Sequence, residues 1–392
     1  MSAWVEDAQQ LTEIKDLSNS QHSVLLRTAE VTEFLSNINL PSHALVAPKG
    51  FGKTLVLKLK RISLQDADYK CFPLSPIVDR PMNKPPILPD EKIDVLEHSD
   101  NWGTLWNIAL SICLIKGFLE DQDVQTQVTR ILKTRGIPSA LFTIMTHPHI
   151  NRPFDILHDC LASQRNELYS IMRCAQLFTR VFGTIHKKSP IFIDNIDEYL
   201  QHYINFSYSR RDDVHEKFLR IWYAGQLGAW TSLRRLHGLN PHIRIFVSIR
   251  KEAYHYAAKR EAEFSNLRSF RRELRYNRED IKQIVENNIS VTPKSELADK
   301  NNQNTILRFL GPDNEFVTSG GIAKPELTVD YWIRHCSLRP RDAVTIGKEI
   351  SLIRAKERTQ QAIRAAINAA AAESVETLFN EAAPFFPLYI QT

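Results

Sequence analysis

The sequence is poor in glycine, with 13 in 392 residues, which argues against a loop-rich or low-complexity chain. No apolar run approaches the roughly 18 residues that cross a bilayer, so a membrane is not an expected partner. The first residues, Met1-Ser2-Ala3-Trp4-Val5-Glu6-Asp7, lack a basic region followed by an apolar stretch, and no secretory leader is expected. The five cysteines, Cys71, Cys113, Cys160, Cys174 and Cys336, are scattered, without a C-x-x-C pair. That scatter speaks against a disulfide framework or a thiolate metal site, and makes a reducing cytoplasm the expected compartment. Neither charge sign dominates. A net charge of +5 suits nucleic acid and nucleotide phosphates alike, and so decides between neither. There is no internal repeat. With 43% hydrophobic and 24% charged residues, the length suggests about two or three domains with real cores.

What is present centres on His43-Ala44-Leu45-Val46-Ala47-Pro48-Lys49-Gly50-Phe51-Gly52-Lys53-Thr54. A short apolar run, a glycine-bearing turn and then Leu55-Val56-Leu57-Lys58-Leu59 read as strand, tight loop and helix. The spacing fits the phosphate-loop pattern G-x-x-x-x-G-K-[ST], with Ala47 in place of the first glycine. Gly50 and Gly52 can turn backbone N–H groups inward around an anion, through angles that a Cβ obstructs. A helix starting near Lys53 adds its free N–H groups and positive dipole end. Pro48, Lys49, Gly50, Phe51, Gly52, Lys53 and Thr54 are therefore the expected phosphate-binding residues. Lys53 would reach the β- and γ-phosphates of ATP, and Thr54 would set its hydroxyl on Mg2+.

A second apolar strand, Pro190-Ile191-Phe192-Ile193, runs into Asp194-Asn195-Ile196-Asp197-Glu198, with three acids in five residues. Asp194 is the expected Mg2+ ligand beside Thr54. Glu198 or Asp197 could take a proton from an attacking water. A third strand, Ile243–Arg250, is apolar at 243, 245, 246, 247 and 249, and so should be buried on both faces. It ends in Ser248-Ile249-Arg250, and strand ends on this side of a parallel sheet face the ligand crevice, where Arg250 could sense a γ-phosphate.

The rest of the chain reads mostly as helix. A helical lead-in is expected over 1–40, a core over 41–276 with a helical insertion at about 75–180, and a helical lid with C-terminal helices over 277–392. Tyr69–Leu74 reads as a short strand, and Pro76, Pro81, Pro85, Pro86 and Pro89 forbid a long helix over 75–100. Helices are expected over 102–119, in several pieces over 124–179, over 212–237 and over 252–266, followed by an arginine-rich edge strand or loop at 267–276. Asn277 should cap a helix running from Arg278 through Ile289, with Glu279 and Asp280 suiting its first turn. Residues 290–326 look loose and polar. Helices follow from Thr328, from the Leu338-Arg339-Pro340-Arg341-Asp342 segment to about Lys356, and from about Thr359 to Ala383.

Taken together, these motifs resemble the AAA+/STAND group of P-loop ATPases, which includes NACHT-like and origin-recognition-like proteins. Asp194-Asn195-Ile196-Asp197-Glu198 is similar to the D-G-h-D-E stretch of NACHT-type domains, with Asn195 in the glycine place. Ser248-Ile249-Arg250 looks like the strand-end sensor 1, and Arg339 and Arg341 stand where the lid's sensor-2 arginine is expected. Trp222-Tyr223-Ala224-Gly225-Gln226-Leu227-Gly228 resembles the W-x-x-x-Q-x-G helix of bacterial ATPases of this group, several of which are associated with phage defence. The likeness covers roughly residues 25–356 and includes no recognisable effector module.

The resemblance implies an α/β fold with a parallel-sheet P-loop NTPase core, a helical insertion and a C-terminal helical lid. It implies Mg-ATP as cofactor and substrate, hydrolysed to drive a conformational or assembly switch. It further implies a homo-oligomer or a partner effector protein, with Arg260 or Arg268 as an arginine finger. Two rivals stand beside it. A nucleic-acid-binding ATPase of origin-recognition type has the pairs Arg210-Arg211 and Arg271-Arg272 in its favour, but no aromatic–basic interleave in the sequence. A scaffold that binds ATP without turning it over is the other; a small-molecule kinase is weaker than either, since the acidic triplet and sensor fit water attack better.

Overall fold

The three apolar runs become adjacent strands of one sheet in the computed structural model of the chain. It describes residues 4, 28–74, 81, 83–207, 212–260, 269–317, 325–382 and 385, with the side chains of 206, 207, 212, 213, 257, 259 and 260 left outside the description. The strands are β1 (His43–Ala47), β2 (Ser189–Ile193), β3 (Ile243–Arg250) and β4 (Arg271–Glu273), all parallel, in the order β2-β3-β1-β4. This is a mixed α/β fold. Every residue of β1, β2 and β3 is buried, as it must be when both faces of a parallel sheet are covered. The aromatic centre of the sheet is Phe246, stacked on Phe192 at 5.1 Å and met edge-on by Phe34 at 5.7 Å.

By packing, the chain divides into two compact units. The first is made of Phe34–Pro48 and Val56–Glu273, and contains the sheet. Its helices between β1 and β2 include Lys53–Asp66, Asp90–Leu96, Ser99–Gly117 and five shorter ones up to Gly183. Ser99–Gly117 and Asp212–Leu239 are its two long helices, and they cross where both lack a side chain. A Cβ on Gly228 would lie 2.4 Å from Trp102 Cβ and 2.6 Å from the Gly103 nitrogen. Ser232 Oγ donates to Asn107 Oδ1 at 2.7 Å in the same contact, so its buried polar groups are satisfied.

Several elements depart from the sequence expectation for local reasons. The expected strand at Tyr69–Leu74 shrinks to one bridge between Phe72 and Ile191, because Pro73 has no N–H to extend the ladder. The proline-rich stretch does hold a short helix, Asp90–Leu96, which starts directly after the last proline. β4 is only three residues long, and the helix expected over 252–266 is described as Lys251–Arg260. Residues 261–268, and with them Arg268, lie outside the described residues, as does the side chain of Arg260. Arg210-Arg211 and most of the expected lead-in at 1–40 lie there too.

The second unit comprises Met1–Glu33, Lys49–Leu55 and Leu274–Thr392. Its described residues form the helices Arg278–Ser290, Thr305–Leu310, Thr328–Arg334, Pro340–Leu352 and Gln360–Ala382, with a short antiparallel pair, Phe316–Val317 against Glu326–Leu327. Asn277 caps the first of these in a full capping box with Asp280, as its sequence position implied. The core of this unit gathers around Trp4, which packs on Phe309 and Trp332 at 5.4 and 5.7 Å. Gly347 makes room for that indole, since a Cβ there would fall 2.2 Å from it. Among the described residues, no helix is long and apolar enough to cross a membrane.

Candidate functional site

In the first unit, the expected catalytic residues come together at the carboxyl ends of β2 and β3. β2 stops at Ile193, and the chain enters the helix Ile196–Ser207 after a two-residue turn. That turn requires a left-handed residue: Asn195 has φ 60°. Asparagine is among the few residues with a side chain that adopt this conformation readily. The turn buries Asp194 to 2% exposure. Ser248 Oγ donates a short hydrogen bond to the Asp194 carboxylate and accepts the Asn195 N–H at 3.3 Å. One hydroxyl thus ties the end of β3 to the end of β2.

Ser248 and Arg250 are two residues apart and share a face of β3. Arg250 is 8% exposed, with its guanidinium held between acids. Its Nε and Nη2 donate to the two carboxylate oxygens of Glu252, each at 3.2 Å, and Nη1 lies 3.4 Å from Asp197 Oδ2. A planar guanidinium fork suits such bidentate pairing. Glu198, the next residue, is exposed.

A third layer supports this cluster. Trp222 Nε1 donates to the Asp197 carbonyl at 3.1 Å, and Gln226 Oε1 accepts the Arg250 backbone N–H at 2.9 Å. Gln226 is fully buried, and its own Nε2 donates to the Trp222 carbonyl at 3.3 Å. The two side chains are four residues apart, on one face of the helix Asp212–Leu239. Gly225 lets that face come close: a Cβ on it would meet Leu200 Cδ1 at 2.3 Å, and its carbonyl accepts from Trp106 Nε1 at 2.9 Å. In the sequence, the Trp222–Gly228 segment stood only as a family mark. Its structural work is to hold the acidic turn and the arginine strand at once, and the i, i+4 spacing was the available signal.

Compared with protein-family models, curated proteins and solved structures, the chain matches none.

The second unit contains the loop Lys49–Leu55. Both of its glycines adopt the left-handed backbone that the motif requires, φ 83° at Gly50 and 77° at Gly52. The loop packs on the start of the helix Pro340–Leu352. The Gly50 carbonyl accepts the Arg341 N–H at 3.2 Å, and a Cβ on Gly50 would touch Arg341 Cβ at 3.4 Å and Arg339 Cδ at 3.7 Å. Tyr276 closes the other side, its hydroxyl donating to the Phe51 carbonyl at 3.3 Å and its ring 5.8 Å from that of Phe51. Lys49 Nζ pairs with Glu381 Oε1 at 3.1 Å.

Arg339 and Arg341, expected alike as lid arginines, are held differently. Ser337 and Leu338 turn the chain with φ values of 46° and 54°, and Arg339 follows them into the interior. There its Nε donates to Asp342 Oδ2 at 2.7 Å and its Nη2 to the Ser374 carbonyl at 3.4 Å. Burial pushes the Asp342 carboxyl up, against the pull of Arg339. Arg341 is exposed, with its backbone already on Gly50. Of the two, Arg341 is the one able to turn toward an anion.

The donor set fits Mg2+ that arrives with phosphates. Among the described residues, no three His, Cys, Asp or Glu are grouped to hold a metal by themselves. Asp194 in the first unit and Thr54 in the second each offer an oxygen of the kind Mg2+ takes.

Proposed function

We propose that the chain binds Mg-ATP and hydrolyses it, as a conformational or assembly switch with a P-loop NTPase core. The observation that carries this reading is the register at one sheet edge. Ala47 pairs with Arg250, and Ile193 with Val247, so β1, β3 and β2 end side by side. The glycine loop leaves β1 one residue after Ala47, the acids leave β2 at once, and Arg250 ends β3. Ligand crevices of parallel sheets lie at the carboxyl ends of the strands. In this reading, Pro48 to Thr54 wrap the phosphates, with Lys53 as the compensating charge and Arg341 as an added ligand from the lid. Thr54 and Asp194 are the residues that would hold Mg2+, which would supply neutralising charge to the phosphates.

Glu198, exposed one residue after Asp197, is read as the residue that orients water, with Asp197 as the alternative. Arg250 is poised to exchange its carboxylates for a terminal phosphate. Such catalysis is positioning and electrostatics more than covalent chemistry. A homo-oligomer or an effector partner would receive the switch, and the bacterial-defence setting follows from the resemblance alone.

The test is ATP affinity by calorimetry together with phosphate release. Lys53→Ala in a folded chain should abolish ATP binding, and Glu198→Gln should bind ATP without turnover. Unchanged affinity in Lys53→Ala overturns the nucleotide reading. Tight binding by the parent without phosphate release replaces hydrolysis with a scaffold role. Loss of turnover in Asp197→Asn but not in Glu198→Gln reverses the roles of the two acids.

A further inference from the structure

At the amino ends of the same strands, the first unit gathers cations over aromatic rings. The Phe118 ring, itself 1% exposed, has Lys70 Nζ 4.6 Å and Lys187 Nζ 5.3 Å from its centroid. The Tyr69 ring has the Arg244 guanidinium at 5.1 Å and Lys188 Nζ at 5.9 Å. Beside them, the exposed His186 and His242 meet edge to face, 6.2 Å apart. These groups come from the turn after the helix Lys53–Asp66, the end of Ser99–Gly117 and the residues leading into β2 and β3. The sequence showed no aromatic–basic interleave because four separate stretches build this one. The single ion pair that any of the four cations makes, among the described residues, is Lys70 with Glu120 at 3.1 Å, and Glu120 is exposed.

Arg244 is buried and donates to the Ile38 carbonyl, and Lys70 Nζ donates to the Gly117 carbonyl at 2.8 Å, so the exposed Lys187 and Lys188 are the cations most open to a ligand. Collecting like charges on one edge is unfavourable, and cation–π contacts of about 0.5–1 kcal/mol each at exposed sites offset it only in part. The rings also restrict lysine side chains that would otherwise lose up to about 2 kcal/mol of rotamer freedom on contact with a ligand. The edge is thus arranged to meet an external polyanion. We propose that it is a docking surface for duplex nucleic acid, contacted through its phosphates.

Lysine is depleted in protein–protein interfaces but positions backbones on nucleic acid as a point charge. Single-strand recognition needs open rings for bases to stack on. Here Phe118 is buried and Tyr69 carries two cations, so the rings serve the charges and not the bases. Binding should therefore be insensitive to sequence. Arg244 precedes Arg250 by six residues of strand, about 20 Å at roughly 3.3 Å per residue, so nucleic acid at this edge leaves the acid–arginine edge uncovered. The inference does not depend on nucleotide binding.

The experiment is fluorescence anisotropy of a labelled duplex DNA of about 20 base pairs with the full chain, titrated between 50 and 200 mM salt. Saturable binding is expected, with a log–log salt slope of about −3 for some three phosphate contacts. The double variant Lys187→Glu/Lys188→Glu should bind at least tenfold more weakly, with the slope shallower by about two. Its melting temperature should stay within about a few degrees of the parent's, since both side chains are exposed and each loses only a cation–π contact. Lys300→Glu, an exposed change in the second unit, should bind as the parent does. No binding at 50 mM salt, parent-like binding by the double variant, or an equal loss in Lys300→Glu overturns the proposal. So does tighter binding of the single strand than of the duplex, or of polyglutamate or phosphatidylserine vesicles than of either.

Discussion

The two ends of β2 and β3 handle charge in opposite ways. At the carboxyl ends, each charged group described has a partner in fixed geometry: Asp194 with Ser248, and Arg250 with Glu252 and Asp197, all backed by Trp222 and Gln226. At the amino ends, cations rest on rings, Lys70 alone has a described carboxylate, and Lys70 and Arg244 also donate to the Gly117 and Ile38 carbonyls. Parallel strands give both ends the same backbone; side chains make the difference. Burial forces pairing at one end, because an unpaired buried charge costs several kcal/mol. At the other, the exposed Lys187 and Lys188 make an excess that an outside anion can satisfy. Compensated charge positions, and uncompensated charge recruits.

The strongest way to break this contrast is to displace the support of the carboxyl end. Gly228→Val puts a side chain against Trp102 and the Gly103 backbone, and should destabilise the first unit by about 3 kcal/mol or more. Chemical denaturation measures it, and parent-like stability would mean that the two long helices do not meet as described. Next is Arg250→Ala, which leaves Asp197 and Glu252 without their cation. We expect about 2 kcal/mol of lost stability, held down by the half-exposed Glu252, together with loss of ATP-over-ADP preference while ADP affinity stays near the parent's. Normal phosphate release by this variant removes Arg250 from the proposed chemistry.

A smaller effect separates support from packing. Gln226→Leu preserves bulk but leaves the buried Arg250 N–H without its acceptor, at a cost of about 1–2 kcal/mol. Turnover should fall more than ATP affinity, and Gln226→Glu, which keeps an acceptor oxygen, should recover part of it. Equal losses in both variants would point to packing alone.

A last effect, seen only at alkaline pH, reads the basic end. Lys60 is fully buried, donating to the Asn37 carbonyl at 2.7 Å, and burial first, then Arg244, lowers its pKa from the ordinary 10.5 to about 8. The unfolded chain therefore binds a proton between pH 8 and 10.5 that the folded chain does not. Stability should rise with pH through that window and be flat in this contribution below it. Urea midpoints across the window should show the rise, and Lys60→Met should remove it. An unchanged rise in that variant would assign it to other groups, Lys116 among them, whose pKa burial also lowers to about 8.

Much of this was legible in the chain. The three buried strands, the glycine turn, the Asn277 cap and the two long helices follow from runs and spacings whose physics is local. β3 in particular had to be an inner strand, since apolar residues at 243, 245, 246, 247 and 249 fall on both faces and leave none for solvent. The edges were less legible. Tyr69–Leu74 has strand composition but ends on a proline that stops the ladder, and the length of β4 depends on its neighbour more than on Arg271-Arg272-Glu273.

By itself, the sequence determined which residue types stand where each strand ends, because strand, turn and helix are encoded within a few residues of one another. Only the tertiary structure decided what those residues face. That Arg250 meets Asp197 and Glu252, that Gln226 holds the Arg250 backbone, and that Arg339 turns inward while Arg341 stays exposed are outcomes of packing across large separations. The same holds for the basic edge. Lys70 and Lys187 carry no mark in the sequence, and share a ring only because Phe72 pairs with Ile191 and brings their neighbourhoods together. A side chain's type is local, whereas its partner is set by the register of strands and the crossing of helices.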